Sequence, residues 1–315
     1  MKILFHTYTL NFRGTAVAVY DYAKYNQEVL GNESVILYKK SEPYEKDVGT
    51  EEKSLEFIED SFEVRSYDQD SEIDKIVEDV DLAYFIKYGF NDSYIPKNVK
   101  TAMHAVFQAK EPHGDRYAYI SEWLSNHMGG DIPYVPHIVD LPDPNEDYRE
   151  KLGISKDKIV IGRHGAYYTF DLEFTKRKVK ELIDLDDRFV FLFVNTKPFI
   201  KHERVKFISS IVDRQKKSNF INTCDAMLHA RNRGESFGLS VCEFLHHNKP
   251  VFAWESGLDL NHVHMLESYD SLYNEENIIE KLQSISDFKN KDWKSIVSEF
   301  TPKKVISKFD EVFIK

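Results

Sequence analysis

The sequence predicts an α/β fold in which helices cover parallel sheets, repeated in two domains. Three observations carry this. Short apolar runs alternate with segments of helical periodicity through both halves of the chain, the pattern of a parallel sheet flanked by helices. A proline-rich stretch, Pro133 to Asn145, interrupts that alternation near the middle. The chain has 315 residues, 42% of them hydrophobic and 30% charged, enough for two cores and too apolar for a disordered chain.

The elements follow in order. Lys2 to Phe5 is a strand, and His6 to Gly14 a polar loop. Thr15 to Leu30 repeats apolar residues at helical spacing and stops at Gly31. Ser34 to Tyr38 is the next strand. The acidic sequence Glu42 to Asp60 reads as a helix with one solvated face, and Phe62 to Arg65 as a short strand. Ile73 to Val80 has helical spacing; Leu82 to Ile86, Lys100 to Phe107 and Tyr117 to Ser121 are strands. Past the proline-rich break, Glu146 to Leu152 is helix-like. A second strand series follows: Lys158 to Gly162, Phe189 to Val194, Val205 to Val212, Ala226 to His229 and Pro250 to Trp254. The tail, Lys291 to Lys315, carries two helical patterns separated by Thr301-Pro302. There is no internal repeat or low-complexity segment.

Composition excludes several classes. The two cysteines, Cys224 and Cys242, fall in apolar segments, which argues against a disulfide framework or a cysteine zinc site and for a reducing compartment. No apolar run approaches the ~20 residues of a membrane span, and Met1 to His6 reads as a strand, not a signal peptide. A formal net charge of -11 disfavours an extended nucleic-acid surface. The expectation is a cytoplasmic protein with no transmembrane segment and no nucleic-acid partner.

The run Arg233-Gly-Glu-Ser-Phe-Gly-Leu-Ser-Val-Cys-Glu-Phe244 carries the most chemistry. Glu235 sits in a loop before an apolar helix, and Glu243 lies about two turns further along. The first-turn N–H groups of such a helix lack intrahelical partners and carry the positive end of the dipole, so they can hold a phosphate. Two carboxylates beside them suit the hydroxyls of a sugar and of a ribose. Spacing alone leaves open an ordinary strand-loop-helix-strand unit with two surface glutamates.

The whole order, Asp225 to His229, Glu235 to Phe244, then Lys249 to Ala253, resembles the E-x7-E signature of retaining GT-B glycosyltransferases. These form the large group-1 family related to glycogen and sucrose synthases. Ser236 stands where that signature has its first Gly, Phe244 where it has Ala, and Asn248-Lys249 where Gly-x is usual. The resemblance is strongest from Gly162 to Ala253 and loose over the first half. It implies a GT-B fold, two Rossmann-like domains facing across a cleft. Residues 1–140 would form the acceptor-side domain and 141–290 the nucleotide-sugar-binding domain. Residues 291–315 would be helices packing back toward the first domain. The stretch Tyr134 to Asn145 resembles the family's interdomain connector.

By the same resemblance, Glu235 lies against the donor sugar and Glu243 binds the ribose. The N–H groups of Phe237, Gly238 and Leu239, with Ser236 beside them, hold the distal phosphate or the sugar. Glu243 is alternatively a helix-face ion pair. Gly162-Arg163 resembles the family's Gly-Arg, whose guanidinium stabilises the leaving diphosphate through its planar fork; a surface ion pair is the plain alternative. Most relatives have a lysine about six positions on, where Thr169 stands. Lys197, Arg231 or Arg233 could replace that charge. Asn11 to Thr15 occupies the place of a glycine-rich donor loop, with Gly14 and Thr15 as contacts and Arg13 as added charge, or it is a simple strand-to-helix turn. His104 resembles the histidine that faces the donor sugar, or is a core histidine. His113 to Arg116 could line the acceptor side.

The implied reaction is transfer of a sugar from a nucleoside-diphosphate sugar to an acceptor hydroxyl, of a glycan or lipid-linked sugar, with retained anomeric configuration. No metal or cofactor is expected. Asp68-Gln-Asp70, Asp79-Val-Asp81 and Asp184-Leu-Asp186 satisfy Asp-x-Asp but read as solvated acids among 53 acidic residues. Two rivals remain: a nucleotide-sugar epimerase or hydrolase on the same scaffold, and a sugar-binding or assembly protein that has lost transfer. The missing lysine supports the latter, since fold alone does not decide function.

Overall fold

Two sheets of six parallel strands organise the chain, each inside its own compact unit. The computed structural model describes residues 1–11, 13–40 and 49–315. One unit comprises Met1–Ile138 with Glu299–Lys315, the other Val139–Ser298.

In the first unit the elements are β1 (Lys2–Thr7), α1 (Gly14–Glu28), β2 (Glu33–Lys39), α2 (Glu52–Glu59), β3 (Glu63–Tyr67), α3 (Ile73–Ile76), β4 (Leu82–Lys87), β5 (Lys100–Ala105), β6 (Arg116–Tyr119) and α4 (Glu122–His127). The sheet order is β3-β2-β1-β4-β5-β6, parallel throughout. Strand β4 is buried along its whole length, because helices cover both faces of such a sheet and leave no face for alternating polar residues. Helix α1 buries Ala16, Val19, Tyr22, Ala23 and Asn26, the helical spacing visible in the sequence. The chain turns at Gly31, whose φ of 69° suits a residue without a Cβ.

The second unit repeats the plan with β7 (Ile159–Arg163), α5 (Glu173–Leu185), β8 (Phe189–Val194), β9 (Val205–Ile208), α6 (Arg214–Thr223), β10 (Ala226–His229), β11 (Gly234–Glu235), α7 (Leu239–His246), β12 (Val251–Trp254), β13 (Asp259–Leu260), α8 (Asn261–Leu266), β14 (Leu272–Tyr273) and α9 (Ile278–Gln283). Its sheet order is β14-β12-β10-β7-β8-β9. Both sheets therefore run third-second-first-fourth-fifth-sixth by order in the chain, the doubly wound arrangement. Its strand order reverses beside the first strand, and ligands bind outside the carboxyl ends there. That point lies between β1 and β4 in one unit, and between β7 and β10 in the other.

Several expected elements change. Glu146 to Leu152 forms turns, not a helix. The N–H groups of Asn145 and Tyr148 donate to the side chains of Asn219 and Thr223 on α6, so side chains dock the start of the segment and only a single turn closes, from the Leu152 N–H to the Tyr148 carbonyl. The strand from Val205 stops at Ile208, and the helix from Ile73 at Ile76. Of the acidic stretch from Glu42, residues 42–48 lie outside the described residues, and α2 occupies its later part. Helices α5 and α6 were not anticipated, although Val179, Leu182 and Ile183 of α5 are buried at helical spacing.

The tail of the first unit comprises α10 (Pro302–Phe309) and a wider turn, Asp310–Ile314. Phe309 is fully buried and lies 5.9, 5.2 and 5.3 Å, centroid to centroid, from the rings of Phe5, Tyr22 and Tyr84. Phe313 packs on Tyr84 and His104. Truncating Phe309→Ala removes a whole ring from this cluster. Denaturant unfolding should show a loss of about 3–5 kcal/mol; a loss below about 1 kcal/mol would mean the tail does not support the core.

Candidate functional site

Strand β10 delivers His229 to the carboxyl edge of the second sheet, beside the reversal point. The chain then runs through Arg231 and Arg233 into β11, which pairs with β13 in a small two-stranded sheet. Gly234 is obligatory there: its φ is 78°, and a Cβ would meet the Asp259 carbonyl oxygen at 2.1 Å. Asp259, wholly buried, takes the Arg233 guanidinium at 2.6 Å. Gly238, at φ 93°, starts α7 from a left-handed conformation against the Glu235 side chain.

Glu235 is the centre of a small charged cluster. Arg231 Nη1 donates to its Oε2 at 2.9 Å, and His229 Nε2 lies 3.2 Å from its Oε1. Its backbone N–H donates to His262 Nδ1 at 3.3 Å. Burial pushes this carboxyl up, but the Arg231 guanidinium and the His229 hydrogen bond outweigh it and hold it at about 2. Glu235 is therefore ionised at neutral pH, with 16% of its side chain exposed.

Glu243, in the second turn of α7, is more deeply buried at 5% exposure. Lys217 of α6 donates to its Oε1 at 2.8 Å, and His164 Nε2 lies 3.0 Å from its Oε2. The His164 ring stacks on Phe244. Burial again pushes the carboxyl up, and Lys217 with His164 drives it well below the usual carboxylate range. The ion pair left open as an alternative for Glu243 is present, but it is interior, not on a solvated helix face.

Arg163 ends β7 and is 3% exposed. It donates to the carbonyls of Asn195 and Ala166 and to the hydroxyls of Thr196 and Thr169. Thr169, the residue six positions on from Arg163, thus clasps the guanidinium at 2.6 Å. Burial and these bonds rule out the surface ion pair read as the alternative for Arg163. Of the cations considered as replacements, Arg231 pairs with Glu235 and Arg233 with Asp259. Lys197 is exposed, its N–H bound to the Tyr167 carbonyl at 3.0 Å and its ammonium 5.7 Å from the Tyr168 ring centroid. Helix α7 begins at Leu239. The N–H groups without an intrahelical partner therefore belong to Leu239, Ser240 and Val241 at the Gly238 cap, two to four residues beyond Phe237.

In the first unit, Gly14 opens α1, with exposed Arg13 as its cap residue and Thr15 in the first turn. The Arg13 N–H donates to Asn11 Oδ1 at 3.0 Å. His104 does not fit the sugar-facing role. It has no exposed surface; Nδ1 is 2.6 Å from the Tyr84 hydroxyl, and Nε2 is 2.9 Å from the Val135 carbonyl. Burial pushes its pKa down to about 3, so it is a neutral core histidine. The polar run after it is also engaged elsewhere: Asp115 braces Thr101, and Arg116 bonds the Lys315 carbonyl. The Asp-x-Asp triplets lie at the surface, with Asp79 tied to Lys2 and Arg65, except for Asp186, whose side chain is only 11% exposed and pairs with Arg188. Among the described residues no group of three or more His, Cys, Asp or Glu is placed to hold a metal, and no helix is long and apolar enough to cross a membrane.

No protein-family model matches the chain, and no curated protein matches it. Solved structures do: the fold is that of GT-B glycosyltransferases over the full chain. HepE of Anabaena, solved with UDP-glucose, is 13% identical, with 99% of this chain and 98% of that one covered at a TM-score of 0.74. A glycosyltransferase from Rickettsia africae is 15% identical, covering 99% and 97%, at 0.71. A structure described as a UDP-N-acetylglucosamine 2-epimerase from Listeria monocytogenes is 11% identical, covering 98% and 94%, at 0.62.

The sequence reading missed His229, His262, His164 and Lys217. His229 and His164 had a signal, since each ends or follows a strand at the carboxyl edge, where sites of this fold class sit. Lys217 and His262 had none, because only tertiary packing brings α6 and α8 to the glutamates.

Because the Glu235 pKa is depressed on folding, its stabilisation is present above the ordinary carboxyl value and lost as pH falls toward about 2. Wild type should be more stable than Glu235→Gln at neutral pH. Unfolding measured at a series of pH values should show that margin shrinking below about pH 4.5. A margin independent of pH would contradict the ionised cluster.

Proposed function

We propose that the protein is a retaining glycosyltransferase that moves a sugar from a nucleoside-diphosphate sugar to a hydroxyl of a glycan or lipid-linked acceptor. The observation that carries this reading is the pair of buried, ionised glutamates flanking the start of α7 at the reversal point of a doubly wound sheet. The likeness over the whole chain to a structure solved with UDP-glucose supports it.

In this reading each group has a physical task. Glu243 accepts from the ribose hydroxyls; a carboxylate has about four lone-pair positions, so Lys217 and His164 leave room for them. Glu235 accepts from hydroxyls of the donor sugar. The first-turn N–H groups of α7 and the Lys197 ammonium hold the diphosphate, and Arg163 adds its charge from beneath. As the bond between the anomeric carbon and the phosphate oxygen breaks, the acceptor oxygen bonds the same face of that carbon. Its proton passes to the departing phosphate. The protein positions and stabilises charge and supplies no nucleophile.

A second reading, a nucleotide-sugar epimerase, is favoured by the Listeria likeness alone. A panel of nucleoside diphosphates and nucleotide-sugars, followed by thermal shift with and without divalent metal, separates the possibilities. One donor should raise the melting temperature without metal, and Glu243→Ala should abolish that shift. Lys197→Met should weaken diphosphate binding about tenfold, worth roughly 1.4 kcal/mol. Release of diphosphate only when an acceptor is added supports transfer; donor consumed without acceptor points to the epimerase or a hydrolase. Well-folded protein that responds to no nucleotide would sink the proposal.

A further inference from the structure

Glu235 is gripped at two different points by two histidines from different elements. His262, wholly buried on α8, accepts the Glu235 backbone N–H at Nδ1. Its Nε2 lies 2.8 Å from the Trp254 carbonyl, an acceptor only. These two bonds define one state of the ring: neutral, with the proton on Nε2. Burial pushes its pKa down to about 3, in agreement. His229, at the end of β10, is 3% exposed and bonds the carboxylate itself through Nε2. The two rings pack at 4.8 Å between centroids. His229 is fixed in turn by Tyr273, whose hydroxyl donates to the His229 carbonyl at 2.6 Å. The bracket is completed by Asn261, which donates to the Phe237 carbonyl at 2.7 Å, and by the Arg233–Asp259 pair.

We propose that His262 and His229 are positioning residues that together set the direction of the Glu235 carboxylate, His262 through the main chain and His229 through the side chain. The inference rests on the reading of Glu235 as a sugar contact. Arg231 makes the largest single contribution that keeps Glu235 ionised, but a long side chain, 20% exposed, leaves its direction loosely set. Two stiff, buried rings fix that direction. A displacement near 1 Å at a positioning group can cost on the order of a hundredfold in rate.

The test compares apolar with hydrogen-bonding replacements. His229→Leu removes the donor to the carboxylate, and His229→Gln restores an N–H near the same place. His262→Leu removes the acceptor for the Glu235 N–H, and His262→Asn restores an oxygen close to Nδ1. With UDP-glucose as probe, the Leu variants should lose about ten- to a hundredfold in kcat/KM, and the Gln and Asn variants should recover most of it. Two readouts need no activity. Nitrogen NMR should show His262 neutral with its proton on Nε2 between about pH 5 and pH 8. Amide exchange at Glu235 should accelerate in His262→Leu and not in His262→Asn. If UDP-glucose is not turned over, the functional reading suffers while these two measurements still decide the positioning role. A titrating His262, unchanged exchange in His262→Leu, or Gln and Asn variants as impaired as the Leu variants would overturn it.

Discussion

Keeping two carboxylates ionised out of water is the constraint on which the second unit's carboxyl edge depends. A buried charge without a partner costs several kcal/mol, so each glutamate must be met by cations and hydrogen bonds from elsewhere in the fold. Glu235 draws Arg231, His229 and His262; Glu243 draws Lys217 and His164. Those five side chains come from the ends of β7 and β10, the loop after β10, and helices α6 and α8. The two short strands β11 and β13, with the obligatory Gly234, exist in this arrangement to hold one of the carboxylates in reach of its partners. Such pairs contribute little net stability compared with an apolar core of similar volume, which points to a use for the charge itself.

The opposite edges of both sheets solve a different problem. At the amino edge of the first sheet, Lys2 meets Glu33, Glu63 and Asp79, and Arg65 meets Glu63 and Asp79. At the amino edge of the second, Asp225 accepts from the Val160 N–H, Arg149 and Lys289, tying the loop before β10 to β7. The first network is largely solvent-screened and worth little per pair. The second is half-buried and fixes strand order at the reversal point. An Asp at the start of β10 and a Glu after its end thus do unrelated work, although both belong to the same stretch of sequence.

What was legible in the sequence follows the range of the forces involved. The α/β class and strand positions could be read because they depend on apolar periodicity within a few residues. The spacing of Glu235 and Glu243 could be read because one helix carries the second and starts at Leu239, shortly after the first. The clasp on Arg163 could not, since Asn195 and Thr196 lie more than thirty residues away in the chain. His104 shows the converse failure. A histidine at the end of an apolar strand looks the same in sequence whether it faces a ligand or the core. Only the Phe313, Tyr84 and His137 rings around it, one from the far end of the chain, decide for the core. The turns at Glu146 to Leu152 belong to the same class, because α6 side chains outbid the local helix.

Thr169 stands where the signature that the chain resembles has a lysine, and its effect on Arg163 is physical. A lysine there would place a second cation beside the Arg163 guanidinium, and like charges in a buried site must be separated or neutralised. Threonine instead offers an oxygen, which stabilises the guanidinium and holds its plane at a fixed angle. The charge toward an anionic group would then fall to Lys197, on a loop tied by its own N–H to Tyr167. A flexible, strongly hydrated ammonium at the surface binds phosphate as a point charge, whereas a buried guanidinium acts through a fixed field. Dividing the work between a fixed inner cation and an adaptable outer one keeps both positive charges while avoiding their close approach. On that argument the absence of the lysine does not by itself make the chain a binding protein that has lost its chemistry.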